Sequence, residues 1–182
     1  GIPDKELSLR ATVTLNSESV ANAGADQTLF LCSSTQVCWA ASCSDPDGNL
    51  TDCIFNGPGS YDGSQICFTP TASGTYTFTL RAEDDCGLFD VDEAVITVVL
   101  NEEPTVAFGN DTSLALCAQQ QICLNYTVDD PDGHGKVLET MVAGYGTLDT
   151  AANNICFTPS ASGDYEFIVR ATDSCGAYDE DT

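Results

Sequence analysis

The sequence has few basic residues and no long apolar run. Lys and Arg together number 5, against 28 Asp and Glu, so the formal net charge is −23 for 182 residues. A chain this acidic repels nucleic acid and anionic lipid, and no apolar run reaches the length of a membrane span. We therefore expect no nucleic-acid partner and no membrane insertion. No signal peptide is visible, so we expect a mature form.

The sequence also lacks the residue patterns of a catalytic site. Its single histidine, His134, follows a turn and has no Ser or Cys nucleophile pattern to support a catalytic triad. The aspartates lie in turns, which disfavours a glycosidase cleft. The single tryptophan, Trp39, has the alternation of a core residue, which disfavours a carbohydrate-binding platform. We expect a protein that is not an enzyme.

Cysteine is abundant, yet no Cys-x-x-Cys pair of the kind that binds zinc occurs. An even number of cysteines in a chain rich in Thr, Ser, Gly and Asp indicates a disulfide framework. Such a framework forms in an oxidising compartment, so we expect an extracellular or cell-surface protein. The ten cysteines are Cys32, Cys38, Cys43, Cys53, Cys67, Cys86, Cys117, Cys123, Cys156 and Cys175.

Two internal repeats cover most of the chain. The turn at 45–48, Asp-Pro-Asp-Gly, recurs at 130–133, and the segment 66–70, Ile-Cys-Phe-Thr-Pro, recurs at 155–159. The offset is 85 residues before an insertion in the second repeat and 89 after it. Alternating apolar residues predict short strands near 27–32 and its copy 112–117, 36–43, 50–56, 64–69, 76–82 and 94–100. We expect two Greek-key β-sandwiches with almost no helix.

The Asp-Pro-Asp-Gly turn, the segment from Phe-Thr-Pro to the following aromatic strand, and the Asp-x-Cys-Gly turn after it resemble bacterial Ig-like, PKD-like or cadherin-like surface repeats. This resemblance implies a tandem, all-β extracellular architecture and leaves function open.

The frame of the repeats is shifted along the chain. The last strand of the first repeat, 94–100, has its copy at 9–15, ahead of the first repeat, whereas Thr182 matches Glu93. We therefore predict a donor segment at 1–19, a first repeat at 20–103 and a second repeat at 104–182 that lacks its own last strand and accepts one.

This arrangement predicts a structural subunit of an extracellular filament, which assembles head to tail with copies of itself. The mechanism resembles donor-strand complementation in pili. The predicted donor residues are Leu9, Ala11, Val13 and Leu15, and the predicted acceptor residues are Tyr165, Phe167, Val169 and Ala171. The alternative is a two-repeat segment of a long tandem cell-surface adhesin or S-layer-like protein, in which residues 9–15 belong to a preceding repeat.

Strand parity gives partial disulfide assignments. Cys38 and Cys67 face outward on neighbouring strands, so their bond is reasonable and leaves Cys32 for Cys86; Cys32–Cys38 is the rival. Cys43 and Cys53 flank a turn, and we favour their bond. Cross-links between subunits stay open as well.

Two kinds of modification remain candidates. Calcium is not required for the predicted fold, but aspartates near the turns could bind it because Ca²⁺ prefers carboxylate oxygens. The candidate ligands are Asp45, Asp47, Asp85, Asp130, Asp132 and Asp173. The Asn-x-Ser/Thr pattern marks Asn49, Asn110 and Asn125 for N-glycosylation.

Overall fold

The computed structural model describes residues 9–133 and 137–182, and these residues form strands, turns and loops without any helix. In this part of the chain, therefore, no helix could cross a membrane. The strands are β1 (Val20–Asn22), β2 (Gln27–Leu31), β3 (Val37–Ala40), β4 (Ser42–Ser44), β5 (Leu50–Asn56), β6 (Ser60–Tyr61), β7 (Gln65–Phe68), β8 (Gly74–Asp84), β9 (Phe89–Leu100), β10 (Thr105–Phe108), β11 (Ile122–Asp129), β12 (Leu138–Ala143), β13 (Thr147–Asp149), β14 (Asn154–Phe157), β15 (Ile168–Thr172) and β16 (Tyr178–Asp181).

The first repeat is an Ig-like β-sandwich. One sheet has the order β2-β9-β8-β5, and the other side is formed by β3-β7-β6 together with the pair β1-β4. Alternate residues of the strands point inward, so Ile66, Phe78 and Ile96 are fully buried. Trp39 packs edge-on against Phe78, with ring centroids 4.8 Å apart, as expected for a core residue.

The second repeat is built on the same plan. Its sheets have the orders β10-β11-β14-β13 and β12-β15-β16. Tyr126, Ile155, Phe157 and Val169 form the centre of its core. The all-β fold with two Ig-like sandwiches is thus confirmed for the described residues.

Three strands of the first repeat have short or missing copies in the second. β8 has 11 residues and its copy β15 has 5, while β9 has 12 residues and its copy β16 has 4. The predicted strand at 112–117, the copy of β2, does not form. In the first repeat, β2 and β8 are the two neighbours of β9 in the sheet. All three differences between the repeats therefore concern β9 or a strand that pairs with it.

The chain folds as two compact units. One contains the described residues up to Thr28, Gln36–Pro70 and Thr75–Thr97; the other contains Leu29–Thr35, Thr71–Gly74 and Val98–Thr182. The domain boundaries taken from the sequence repeats stay a prediction.

Four disulfides are formed, and two match the sequence-based assignments. Cys38–Cys67 joins directly opposed residues of β3 and β7, and Cys43–Cys53 flanks the turn. The equivalent bond of the second repeat, Cys123–Cys156, joins β11 and β14.

Both assignments for Cys32 were wrong. Cys32 bonds Cys175 rather than Cys86 or Cys38, across a sequence separation of 143 residues. Parity within one repeat could not find this bond, because its two cysteines belong to different copies of the repeat. Cys86 and Cys117 are free among the described residues, and both are exposed.

Candidate strand-binding groove

A groove of about 930 Å³ runs along the second repeat, where the last strand of the first repeat has no full copy. Its walls come from the loop 109–116, the start of β11, the end of β14 and the segment 159–167. The apolar lining includes Phe108, Leu114, Leu116, Ile122, Phe157 and Phe167. Leu114 is 54% exposed and Leu116 is 37% exposed, which leaves an apolar surface open to solvent.

Two of the four predicted acceptor residues line this groove. Tyr165 and Phe167 do so, whereas Val169 and Ala171 are fully buried and do not. The reason is that β16 already pairs with β15 there, with Val169 opposite Asp181 and Ala171 opposite Asp179. Along this side of the second repeat, the groove therefore ends at Phe167, where the pairing between β15 and β16 begins.

Sequence reasoning missed the opposite wall of the groove. Leu114 and Leu116 match Leu29 and Leu31 of β2, the strand beside β9 in the first repeat. The equivalence could have identified this wall from the sequence. Because β2 lies beside β9 in the first repeat, the copies of its residues are expected to line the corresponding groove in the second.

The first repeat shows what fills the corresponding position. Ala94, Ile96 and Val98 of β9 have relative exposures of 0%, 0% and 1%. Besides the pairing of β9 with β2 and β8, three hydrogen bonds hold this strand and the residue after it. The Val95 amide donates to Asp26 Oδ1 at 2.8 Å, and the Leu100 amide donates to Ser73 Oγ at 2.9 Å. The third runs from the Asn101 amide to the Leu31 carbonyl at 2.9 Å.

The acceptors of these three hydrogen bonds recur in the groove. Asp26 matches Asp111, Ser73 matches Ser162 and Leu31 matches Leu116, and all three copies line the groove. The second repeat therefore retains the polar anchors of a last strand as well as the apolar lining.

The predicted donor residues carry the pattern that would fill this groove. Leu9, Ala11, Val13 and Leu15 match the inward-facing positions 94, 96, 98 and 100. Leu9, Val13 and Leu15 are 96%, 80% and 84% exposed, whereas their equivalents in β9 are buried or half-buried. Residues 1–8 of the predicted donor segment lie outside the described residues.

The segment after the donor residues has the contacts of an inter-repeat connection. Asn16 Nδ2 donates to Asp84 Oδ2 at 2.7 Å, and Asn101 Nδ2 donates to Asp173 Oδ2 at the same distance. The Ser17 amide likewise donates to Asp47, as the Glu102 amide does to Asp132. Residues 16–17 thus enter the first repeat as residues 101–102 enter the second.

These hydrogen bonds alter the acidity of the two aspartates. The hydrogen bond from Asn16 is the largest influence on Asp84 and, with backbone amides of the following turn, lowers its pKa. Burial of Asp173 acts to raise its pKa, but hydrogen bonds from Asn101 and from backbone amides outweigh it, and the net shift is downward. Both carboxylates are therefore held charged.

The candidate calcium ligands have N–H or O–H partners in several cases. Asp45 Oδ1 accepts the amides of Asp47 and Gly48, at 2.8 and 3.0 Å, and Asp45 Oδ2 accepts the Ser19 hydroxyl. Asp85 accepts Asn49 Nδ2 at 2.6 Å. The two amide hydrogen bonds to Asp45 are those of a structural turn, whereas the donors Ser19 and Asn49 lie 26 and 36 residues away in sequence from their acceptors.

In the described part of the chain, one group of potential metal ligands includes the candidate calcium ligand Asp85. Ligand atoms of Asp84, Asp85 and Cys86 lie within 4.8 Å of one another. A thiol is a soft ligand that calcium does not favour. The group consequently adds nothing to the calcium assignment.

The three glycosylation candidates differ in accessibility. Asn49 is half-buried, and its Nδ2 donates to both Asn16 and Asp85, so a glycan would displace two hydrogen bonds. Asn110 and Asn125 are exposed and line the groove. His134 lies outside the described residues.

Comparisons with known proteins found no matching family model and no matching characterised sequence. Among solved structures, fibronectin(III)-like modules of Clostridium thermocellum CbhA match with 16% identity over 90% of each chain and a TM-score of 0.36. The human Desmocollin-1 ectodomain matches with 8% identity and a TM-score of 0.42, over 93% of this chain and 36% of that chain. A variant of the Streptococcus sanguinis SrpA adhesin matches with 13% identity and a TM-score of 0.37, over 93% and 94%. At these values the likeness carries no argument about activity or partners.

Proposed function

We propose that this chain is a non-catalytic structural subunit of an extracellular filament that assembles head to tail by strand addition. In this assembly, residues 9–15 of one molecule fill the groove in the second repeat of another. One observation carries the proposal: the apolar pattern that is buried as β9 in the first repeat is exposed at residues 9–15. The second repeat has an open groove at the matching position.

Side-chain burial supplies the driving force. Leu9, Val13 and Leu15 occupy the register of buried β9 residues and are almost fully exposed in the isolated chain. Burying a Leu or Val side chain completely contributes about 1.5–3 kcal/mol. The exposed faces of Leu114 and Leu116 lose contact with water in the same step.

Three polar contacts fix the register. By equivalence with β9, the Arg10 amide donates to Asp111, the Leu15 amide to Ser162 and the Asn16 amide to the Leu116 carbonyl of the other molecule. A slip by one residue would turn the apolar side chains outward. The groove therefore selects one register of the incoming strand.

The interface is heterologous, because the donor and the groove are different parts of the chain. Each molecule that uses its groove still presents a donor, so addition continues and generates a filament. Four disulfides indicate an oxidising compartment. An extracellular or cell-surface location and an assembly with copies of itself are part of the proposal, and calcium stays an optional ligand in it.

The second candidate is a tandem array in which residues 9–15 continue covalently from a preceding repeat. The contacts of Asn16 and Ser17, which reproduce those of Asn101 and Glu102, favour it. Both candidates assign residues 9–15 to a sandwich other than the first repeat. They differ in whether separate molecules associate.

The test uses one variant defective in the donor and one defective in the groove. V13D places a charge on the inward face of the donor, and T12D places it on the outward face as a matched control. L114D blocks the groove, and A115D is its control because Ala115 matches the outward-facing Phe30 of β2. Assembly is followed by sedimentation velocity and negative-stain microscopy.

The wild type, T12D and A115D are expected to form filaments, whereas V13D and L114D alone stay monomeric. Mixing V13D with L114D should give a one-to-one dimer, because each retains the part that the other lacks. If no mixture associates, yet a peptide of residues 7–18 binds the wild-type groove, the tandem array is favoured. If V13D polymerises like the wild type, strand addition by this segment is wrong.

A further inference from the structure

Two cysteines of the described chain have no disulfide partner, and the repeats place them at matching positions. Cys86 and Cys117 are both exposed. Cys86 matches Cys175, and Cys117 matches Cys32. Cys32 and Cys175 are bonded to each other, with their Cα atoms 5.3 Å apart. The two free thiols are thus the copies of the two halves of a bond that forms elsewhere in the same chain.

We propose that Cys117 of one subunit forms a disulfide with Cys86 of the next subunit and so locks the filament covalently. This inference rests on the proposed head-to-tail assembly, and it adds a covalent site that strand addition alone does not require.

A short series of contacts connects the two halves of the existing bond. Cys32 follows Leu31, whose carbonyl accepts the Asn101 amide at 2.9 Å. Asn101 Nδ2 then donates to Asp173 at 2.7 Å, and Asp173 lies two residues before Cys175. The connecting residue therefore fixes both cysteine-bearing segments.

The same series can form between subunits, and half of it is already present. Asn16 Nδ2 donates to Asp84 at 2.7 Å, and Asp84 lies two residues before Cys86. The remaining contact joins the Asn16 amide to the Leu116 carbonyl of the neighbouring subunit, directly before Cys117. When residues 9–15 enter the groove, this contact brings Cys117 towards Cys86 as Leu31 and Asn101 bring Cys32 towards Cys175.

The reaction needs an oxidant, and a small-molecule or protein disulfide of the extracellular space supplies it. The Cys117 thiolate attacks one sulfur of that disulfide, which forms a mixed disulfide and releases one thiol. The Cys86 thiolate then attacks the Cys117 sulfur and releases the second thiol. The two cysteines together lose two protons and two electrons, and the oxidant is reduced to two thiols.

The surroundings of Cys86 favour its role as the second nucleophile. Its thiol donates to Asp85, and this hydrogen bond, with burial and the nearby carboxylates, raises the pKa of Cys86. In the interface, Cys86 faces a mixed disulfide at high effective concentration, which favours it as the nucleophile of the second step.

The experiment uses the directional dimer of V13D and L114D, with oxidised glutathione as the oxidant. In this dimer the V13D chain provides the groove and Cys117, and the L114D chain provides the donor and Cys86. One chain is labelled with ¹⁵N. Dimers are analysed by non-reducing electrophoresis, and the bonded peptides are identified by mass spectrometry.

We expect a covalent dimer whose joined peptides contain Cys117 of the V13D chain and Cys86 of the L114D chain. Adding C117S to the V13D chain should abolish it, whereas C117S in the L114D chain should leave it unchanged. C86S should show the opposite dependence. The double variant C43S/C53S, which removes a bond within the first repeat, should retain the covalent dimer.

The outcomes separate the two proposals. A dimer that forms in native sedimentation but dissociates completely in non-reducing detergent overturns the disulfide and leaves strand addition standing. Absence of any dimer overturns the assembly and the disulfide with it. A covalent dimer that depends on the opposite cysteines in each chain overturns the assigned direction of the bond.

Discussion

Individual side chains recur between the repeats with the same bonding partners, so a contact in one repeat predicts a contact for the other. Asp26 accepts a strand amide from β9, and its copy Asp111 lines the groove with no strand beside it. A hydrogen bond to a charged acceptor contributes about 1.5–3 kcal/mol. Asp111 is therefore the most informative single position for testing the register.

We predict that D111A on the groove-providing V13D chain weakens its association with L114D about tenfold, which corresponds to ~1.4 kcal/mol. The Arg10 amide of the donor loses its charged acceptor in this variant. The dissociation constant can be measured by sedimentation equilibrium. D52A, which removes one charge from an exposed position of the first repeat, should leave the constant unchanged. Equal weakening by both variants would contradict the assigned register.

Two glycines occupy matching turns in which a side chain would meet backbone atoms of the neighbouring strand. Gly59 and Gly146 have φ angles of +104° and +91°, and a Cβ atom on either would lie 2.2 Å from a carbonyl oxygen of the neighbouring strand. Gly63 also has a positive φ, +98°, but has open space around it. Replacing either Gly59 or Gly63 by alanine would force the new residue into a left-handed conformation. Only at Gly59 would the added Cβ atom also clash with backbone atoms.

We predict that G63A lowers the free energy of unfolding by about 1 kcal/mol, the cost of a left-handed conformation for alanine. G59A should cost several-fold more, because the clash is with backbone atoms of β7 that cannot move without breaking strand pairs. Urea denaturation of both variants would measure the difference. Similar losses for the two would show that the turn adjusts to the side chain.

At the scale of elements, the sequence placed correctly the two disulfides whose cysteines both lie in the first repeat. Alternation placed Cys38 and Cys67 on outward faces of adjacent strands, and their bond forms there. It failed for Cys32, whose partner Cys175 belongs to the other copy. It also failed at 112–117, where good alternation produces no strand.

The groove was predictable in position and less so in composition. Strand parity places Phe167, Val169 and Ala171 on one face, but parity does not reveal how far a short partner strand extends. β16 covers Val169 and Ala171 and leaves Phe167 at the opening. The opposite wall could be inferred only from the neighbours of β9 in the folded first repeat.

Two disulfides of the first repeat close chains of different length, which predicts different contributions to stability. Cys38–Cys67 has a sequence separation of 29 residues and Cys43–Cys53 one of 10. A longer closed loop restricts the unfolded chain more, and the loop-length dependence gives a difference of about 1 kcal/mol between the two. Replacing both cysteines of the first bond by alanine should therefore destabilise the repeat by that much more, as measured by urea denaturation. The reverse order would contradict an origin in the unfolded chain.

At the scale of the whole molecule, the net charge opposes assembly. Each subunit carries a formal charge of −23, so two molecules that approach head to tail repel one another. Salt screens this repulsion: the Debye length falls from about 30 Å at 0.01 M to about 8 Å at 0.15 M. The contacts of the groove are mainly apolar and short-ranged, so screening removes more repulsion than attraction.

We predict that the rate of filament growth rises with NaCl concentration over this range. The rate can be measured by light scattering after a monomer stock without denaturant is diluted into each NaCl solution. CaCl₂ at the same ionic strength then tests the calcium candidates. Because Asp45 and Asp85 already accept hydrogen bonds from the protein, we expect calcium to act mainly as a counterion and to raise the rate no more than NaCl does. A rate that depends on micromolar calcium at constant ionic strength, and that D45N abolishes, would instead identify a specific site in the turn at 45–48. The control D52N alters an exposed aspartate of β5 and should respond to both salts as the wild type does.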